Sequence, residues 1–166
     1  MLQAMWEFQT MISELVQLPI SNVSMYDAST SAAEAITCAV RVKSKKVEKP
    51  NTVFISELVP PHRMSVIHNY TQGVGIEIIK LPHREDGLLD LEKASLASGS
   101  CAVYVEQPNS FGILDEGLIR LREIVGEKTA IIVGVDVTTL GLVEPPGNWG
   151  ADIVVGEGQP FGICLL

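Results

Sequence analysis

The sequence predicts an α/β fold, a mostly parallel sheet with helices on both faces. Three observations predict it. Apolar runs such as TVFIS (52–56), CAVYVEQ (101–107) and TAIIVGVDV (129–137) are short, continuous and rich in β-branched residues, as strands buried on both faces are. They alternate with helix-like segments, the order that builds a parallel sheet. Those segments carry terminal signals, with serine, aspartate or proline at the start and glycine at the end.

Taken in order, the chain opens on a helix from Leu2, with apolar residues at Met5, Trp6, Ile12, Leu15 and Val16 and a polar gap at Gln9. Trp6 and Phe8 fall on different faces, so cover is expected on both sides. After the connection LPISNVSMYDAST, Ser31 and Glu34 form an S-x-x-E box that predicts the start of a second helix. TVFIS is the first strand. Pro60 and Pro61 open the next helix and Gly73 is placed to close it. GIEIIKL (75–81) follows as a strand, DLEKASLA as a short helix, and CAVYVEQ as a strand ended by Pro108. Asp115 caps the helix EGLIRLREIV, which Gly126 closes. TAIIVGVDV and ADIVVG (151–156) are the last two strands. There is no internal repeat.

A length of 166 residues suits one domain. The formal net charge is -8, from 12 basic and 20 acidic residues, which argues against nucleic acid because phosphate neutralisation needs clustered Lys and Arg. The one basic cluster, RVKSKK at 41–46, suits a solvated helix C-terminus. No apolar run is long enough to span a bilayer. Cys38, Cys101 and Cys164 are scattered in apolar settings and read as packed thiols of a reducing, cytoplasmic compartment. His62, His68 and His83 lack metal-ligand spacing, so no metal is expected. NVS at 22 and NYT at 69 match the glycosylation pattern and are expected to be chance matches, the sequence in hand showing no signal-peptide pattern. Hydrophobic residues reach 46% and neither terminus is polar, as in a piece of a larger chain or one that buries surface against partners.

Ligands of parallel sheets bind beyond the carboxyl ends of the strands. Here those ends are SELVPP, QPNSFG, DVTTLG and GEGQPFG. Asn109 follows a proline at a strand exit, where its amide could donate to a ring oxygen. Asp136 ends IIVGVD, where a carboxylate could pair with a protonated ring nitrogen. Ser29, Thr30 and Ser31 sit at a helix start suited to a phosphate. Together these are parts of a pyridoxal-phosphate site. Each also has a plainer reading, as turn residue or cap. The lysine amine that such a site needs is missing, because no lysine follows Lys128. GEGQPFG lacks dinucleotide-fingerprint spacing.

LQAMWEFQTMISELVQLPISNVSMYDASTSAAEA, EQPNSFG and ADIVVGEGQPFGI resemble, in order, motifs of the alpha subunit of split glycine dehydrogenase (decarboxylating). That family is the P-protein of the glycine cleavage system. The resemblance covers essentially the whole chain and implies the large domain of fold type I pyridoxal-phosphate enzymes, the aspartate-aminotransferase type. It also implies that a longer N-terminal segment and a C-terminal small domain are absent from this chain. The implied reaction is decarboxylation of glycine on pyridoxal phosphate and transfer of the aminomethyl group to the lipoyl arm of H-protein. In the family a partner beta subunit carries the cofactor lysine, in an α2β2 assembly. By position the GQP turn stands where that lysine segment lies, so Gln159 or Pro160 replaces it. This chain is then expected to bind no cofactor covalently and to be inactive alone, with Ser29, Thr30, Ser31, Asn109, Asp136 and Gln159 as remnants of a cofactor site. The alternative is a non-catalytic fold-type-I relative that serves as a binding or scaffold domain.

Overall fold

Among the described residues five strands form the sheet: β1 (Lys49–Ser56), β2 (Glu77–Leu81), β3 (Ser100–Gln107), β4 (Ala130–Val135) and β5 (Ile153–Gly156). The computed structural model describes residues 1–162. Cys164 therefore lies outside the described residues. The strands pair in the order β2-β1-β3-β4-β5, and every pairing is parallel. The central three are buried on both faces, which is why they read as unbroken apolar runs. Val53, Ile55, Ala102, Tyr104 and Ile132 point into one core, and Phe54, Val103, Val105, Ile131 and Val133 into the other.

Helices α2 (Ala28–Lys43) and α3 (Pro61–Thr71) cover the first face. α2 lies close against the sheet because Ala32, Ala33, Ala35 and Ala39 present almost no bulk there. The short helices α4 (Leu91–Ala94) and α5 (Leu121–Val125), with the end of α1 (Leu2–Val16), cover the second. Arg41 and Lys43 occupy the last turn of α2, as the basic cluster predicts. Among the described residues no helix is long and apolar enough to cross a membrane.

Five expectations shift. Cys38, expected as a packed thiol, is exposed, whereas Cys101 is buried. α2 begins three residues before Ser31: Asp27 is its N-cap and forms the capping box with Thr30, so Ser31 and Glu34 are helix interior. α3 is prolonged by a 3-10 turn, Gln72–Val74, and the left-handed residue that ends it is Gly75 rather than Gly73. The segment after Asp115 is a 3-10 turn, Glu116–Arg120, before α5. α1 is not covered on both sides, because only its last turn reaches the sheet; Trp6 is 73% exposed.

Candidate functional site

A cavity of about 230 Å³ opens at the carboxyl ends of β3, β4 and β5, against the N-terminus of α2. Its polar wall comes from Arg63, Glu106, Asp136 and Glu157. Asp27 shapes the helix end: its Oδ1 accepts the Thr30 N–H at 2.8 Å, while Thr30 Oγ1 accepts the Asp27 N–H at 3.3 Å. The Ser31 hydroxyl donates to the Asp27 carbonyl at 2.7 Å, and the Thr30 hydroxyl to the same oxygen at 3.2 Å. Ser29, just before them, is half-buried. The remaining contact comes from far along the chain, where Glu157 Oε1 accepts the Ala28 N–H at 3.0 Å. Two carboxylates thus satisfy donors that a helix start leaves open.

Arg63, from the first turn of α3, reaches Glu106 near the end of β3 at 2.7 Å, and the Tyr104 hydroxyl donates to the same carboxylate oxygen at 2.8 Å. The Glu106 side chain is 6% exposed and that of Arg63 is 18%. Burial pulls the guanidinium pKa down, but Glu106 and Tyr104 more than reverse this, so Arg63 stays charged. Burial, then Glu106, pushes the Tyr104 phenol well above its ordinary value. Arg63 Nε is buried with no hydrogen-bond partner among the described residues. Gly134 makes the network possible, since a Cβ there would lie 2.5 Å from the Tyr104 hydroxyl oxygen.

The sequence-predicted residues divide. Asp136 borders the cavity, with Oδ1 accepting the Thr138 N–H at 2.9 Å and its hydroxyl at 2.7 Å. Ser29, Thr30 and Ser31 lie at the adjoining helix end, two of their hydroxyls turned back on Asp27. Asn109 is set apart and buried: Nδ2 donates to the Gly87 carbonyl at 2.8 Å, and Oδ1 accepts the N–H groups of Phe111 and Ile113 at 2.9 and 3.2 Å. Gln159 opens the 3-10 turn Gln159–Phe161 and is not in the cavity wall, whereas Pro160 is. Asp27, Arg63, Glu106 and Glu157 are the residues that sequence reasoning did not select. One signal was visible, a glutamate inside the buried run CAVYVEQ.

These residues do not fit pyridoxal phosphate. The turn that follows β5 offers no amine, the Ala28 N–H at the cavity wall already donates to Glu157, and three carboxylates oppose a single arginine.

Comparison with known proteins places this geometry. The profile described as "Glycine cleavage system P-protein" matches residues 1–166. The probable glycine dehydrogenase (decarboxylating) subunit 1 of Thermococcus onnurineus is 48% identical over 164 residues, 98% of this chain and 36% of that protein. The protein of the same description from Saccharolobus solfataricus is 38% identical over 169 residues, again 36% of its length. This chain therefore spans about a third of the relatives it matches. Among solved structures, glycine decarboxylase (P-protein) of the glycine cleavage system, in inhibitor-bound form, superposes with a TM-score of 0.82 at 34% identity, covering 98% of this chain and 36% of that one. Alanine–glyoxylate aminotransferase from Nostoc sp. shares the fold at a TM-score of 0.60 and 21% identity, covering 92% of this chain and 40% of its own. With a profile match across its whole length, this chain belongs to the glycine cleavage system P-protein family.

Proposed function

We propose that this chain is part of the alpha subunit, the one without the cofactor-binding lysine, of a two-subunit glycine dehydrogenase (decarboxylating). The observation that carries the reading is the turn after β5, which brings Glu157 and Pro160 to the cavity and no lysine. Without an amine there is no covalent anchor for pyridoxal phosphate. The electron-accepting chemistry of glycine decarboxylation then belongs to cofactor held on a lysine-bearing beta subunit. The role of this chain is architectural: it is the pseudo-symmetric counterpart of that subunit, in an α2β2 assembly that receives glycine and the lipoyl arm of H-protein. Its sheet, helices and capped α2 terminus preserve the shape of a cofactor domain while their polar groups bond to one another. Asn109 and Asp136 fit this role, since each fastens a turn at a strand exit. The cytoplasm is the compartment that supplies such partners.

Co-expression with a lysine-bearing homologue tests the reading. The expected result is co-purification, glycine–bicarbonate exchange that needs both chains, and borohydride trapping of pyridoxal phosphate on the partner alone. A specific adduct on this chain, or full exchange by the homologue without it, sinks the proposal. If no such homologue co-purifies, a scaffold role outside glycine cleavage replaces it.

A further inference from the structure

We propose that Glu157 is an internal counter-anion that closes the α2 cavity to phosphate-bearing ligands. The helix itself creates the demand. Ala28, Ser29 and Thr30 lead a 16-residue helix, whose leading N–H groups have no partner within the helix and whose dipole favours negative charge there. A phosphate would meet that demand. In this chain two of these three N–H groups are met from within, Thr30 by Asp27 and Ala28 by Glu157.

The two carboxylates differ in kind. Asp27 is an ordinary local cap, three residues from its partner. Glu157 arrives from 129 positions away and lines the cavity while bonding Ala28, so its contact does something a cap already in place does not require. The backbone is shaped for that reach. Gly156, paired with Val135, passes so close to β4 that a Cβ would lie 2.9 Å from the Val135 carbonyl oxygen. A bulkier residue would lift the turn away from α2 and withdraw Glu157 from Ala28.

The electrostatic surroundings reinforce the closure. Glu106 and Asp136 border the same space, and the facing cation, Arg63, is already paired with Glu106. An incoming dianion would have to displace Glu157 while facing two more carboxylates. Exclusion is therefore built from side chains of this copy and is separate from the missing lysine. It deepens the reading above, yet its test needs neither glycine nor a partner.

The experiment titrates inorganic phosphate into the purified protein and its Glu157→Gln and Glu157→Ala variants, following the backbone amides of Ala28 and Ser29 by NMR. Expected is no saturable shift in the parent and saturable binding in Glu157→Ala, tighter by about tenfold or more, with Glu157→Gln intermediate because it keeps the shape and loses the charge. Equal binding in parent and variants overturns the proposal, and so does absence of binding in all three. Unchanged amide spectra elsewhere show whether each variant is folded. Should Glu157→Ala fail to fold, Glu157→Gln alone decides: binding supports the closure and none refutes it. Failure of the exchange assay with a normal outcome here would reject the glycine dehydrogenase reading and leave the closure standing.

Discussion

Two arginines mark opposite ends of the sheet, and they are treated differently. Arg122, on α5, lies at the amino ends of β4 and β5. Its guanidinium donates to the carbonyls of Gly150, Gly126 and Thr129 and to Asp152, at 2.5 to 3.3 Å. Arg63, at the carboxyl ends, pairs with one glutamate and leaves its Nε without a partner among the described residues. The first ties backbone to backbone and has no freedom left. The second is held in place by side chains and faces open space. In open parallel sheets ligands bind beyond the carboxyl ends of the strands, and the arginine tied down by backbone carbonyls is the one at the other end.

Substitutions can break or sharpen the contrast. The largest effect is expected from Arg122→Met, a loss of about 3 kcal/mol in urea unfolding, because three backbone carbonyls and Asp152 lose a charged donor together. No second substitution should restore it, since carbonyls cannot be mutated away. Arg63→Met should cost about 2 kcal/mol by leaving Glu106 as an unpaired buried charge, and Arg63→Met with Glu106→Gln should return to within about 1 kcal/mol of the parent. Additive losses in that cycle would mean that Arg63 is as structural as Arg122. The smallest effect concerns Tyr104→Phe, about 1 kcal/mol near neutral pH. The raised folded pKa of Tyr104 gives stability that is complete below about pH 10, its unfolded value, and is lost as pH rises from there toward the folded one. Parent and variant should therefore converge as unfolding is measured from pH 8 to 11. A gap that stays constant would place the phenol outside the network.

Much of this architecture was legible before any coordinates, for a physical reason. Strands such as CAVYVEQ and TAIIVGV carry their environment in their composition, because both faces are buried and nearly every position is apolar. Short-range chemistry was legible with less precision. Ser31 and Glu34 matched a capping box, but the preceding Asp27 and Thr30 formed one first, and local pattern does not rank two overlapping boxes. Gly73 and Gly75 posed the same ambiguity at the end of α3. The cavity was the least legible part. Glu157 meets Ala28, and Arg63 meets Glu106 across 43 positions, contacts that exist only once the topology brings separate strand ends together. Asp136 and the serines could be placed near a site by their position at element ends. Asn109 was drawn there by the same rule and instead serves its own turn.

The all-parallel topology also governs how this chain comes to be folded. Two parallel neighbours cannot be joined by a tight hairpin, so none of these pairings can nucleate locally. β1, made early, gains its partner β3 only after some fifty further residues have been synthesised, with β2 and its crossover arriving in between. Loop closure must precede the contacts that reward it, and such chains fold slowly. On the ribosome, β1 therefore waits with one edge unpaired at Val53, Phe54 and Ile55 until Ala102, Val103 and Tyr104 emerge, and during that interval the open edge is exposed to wrong partners.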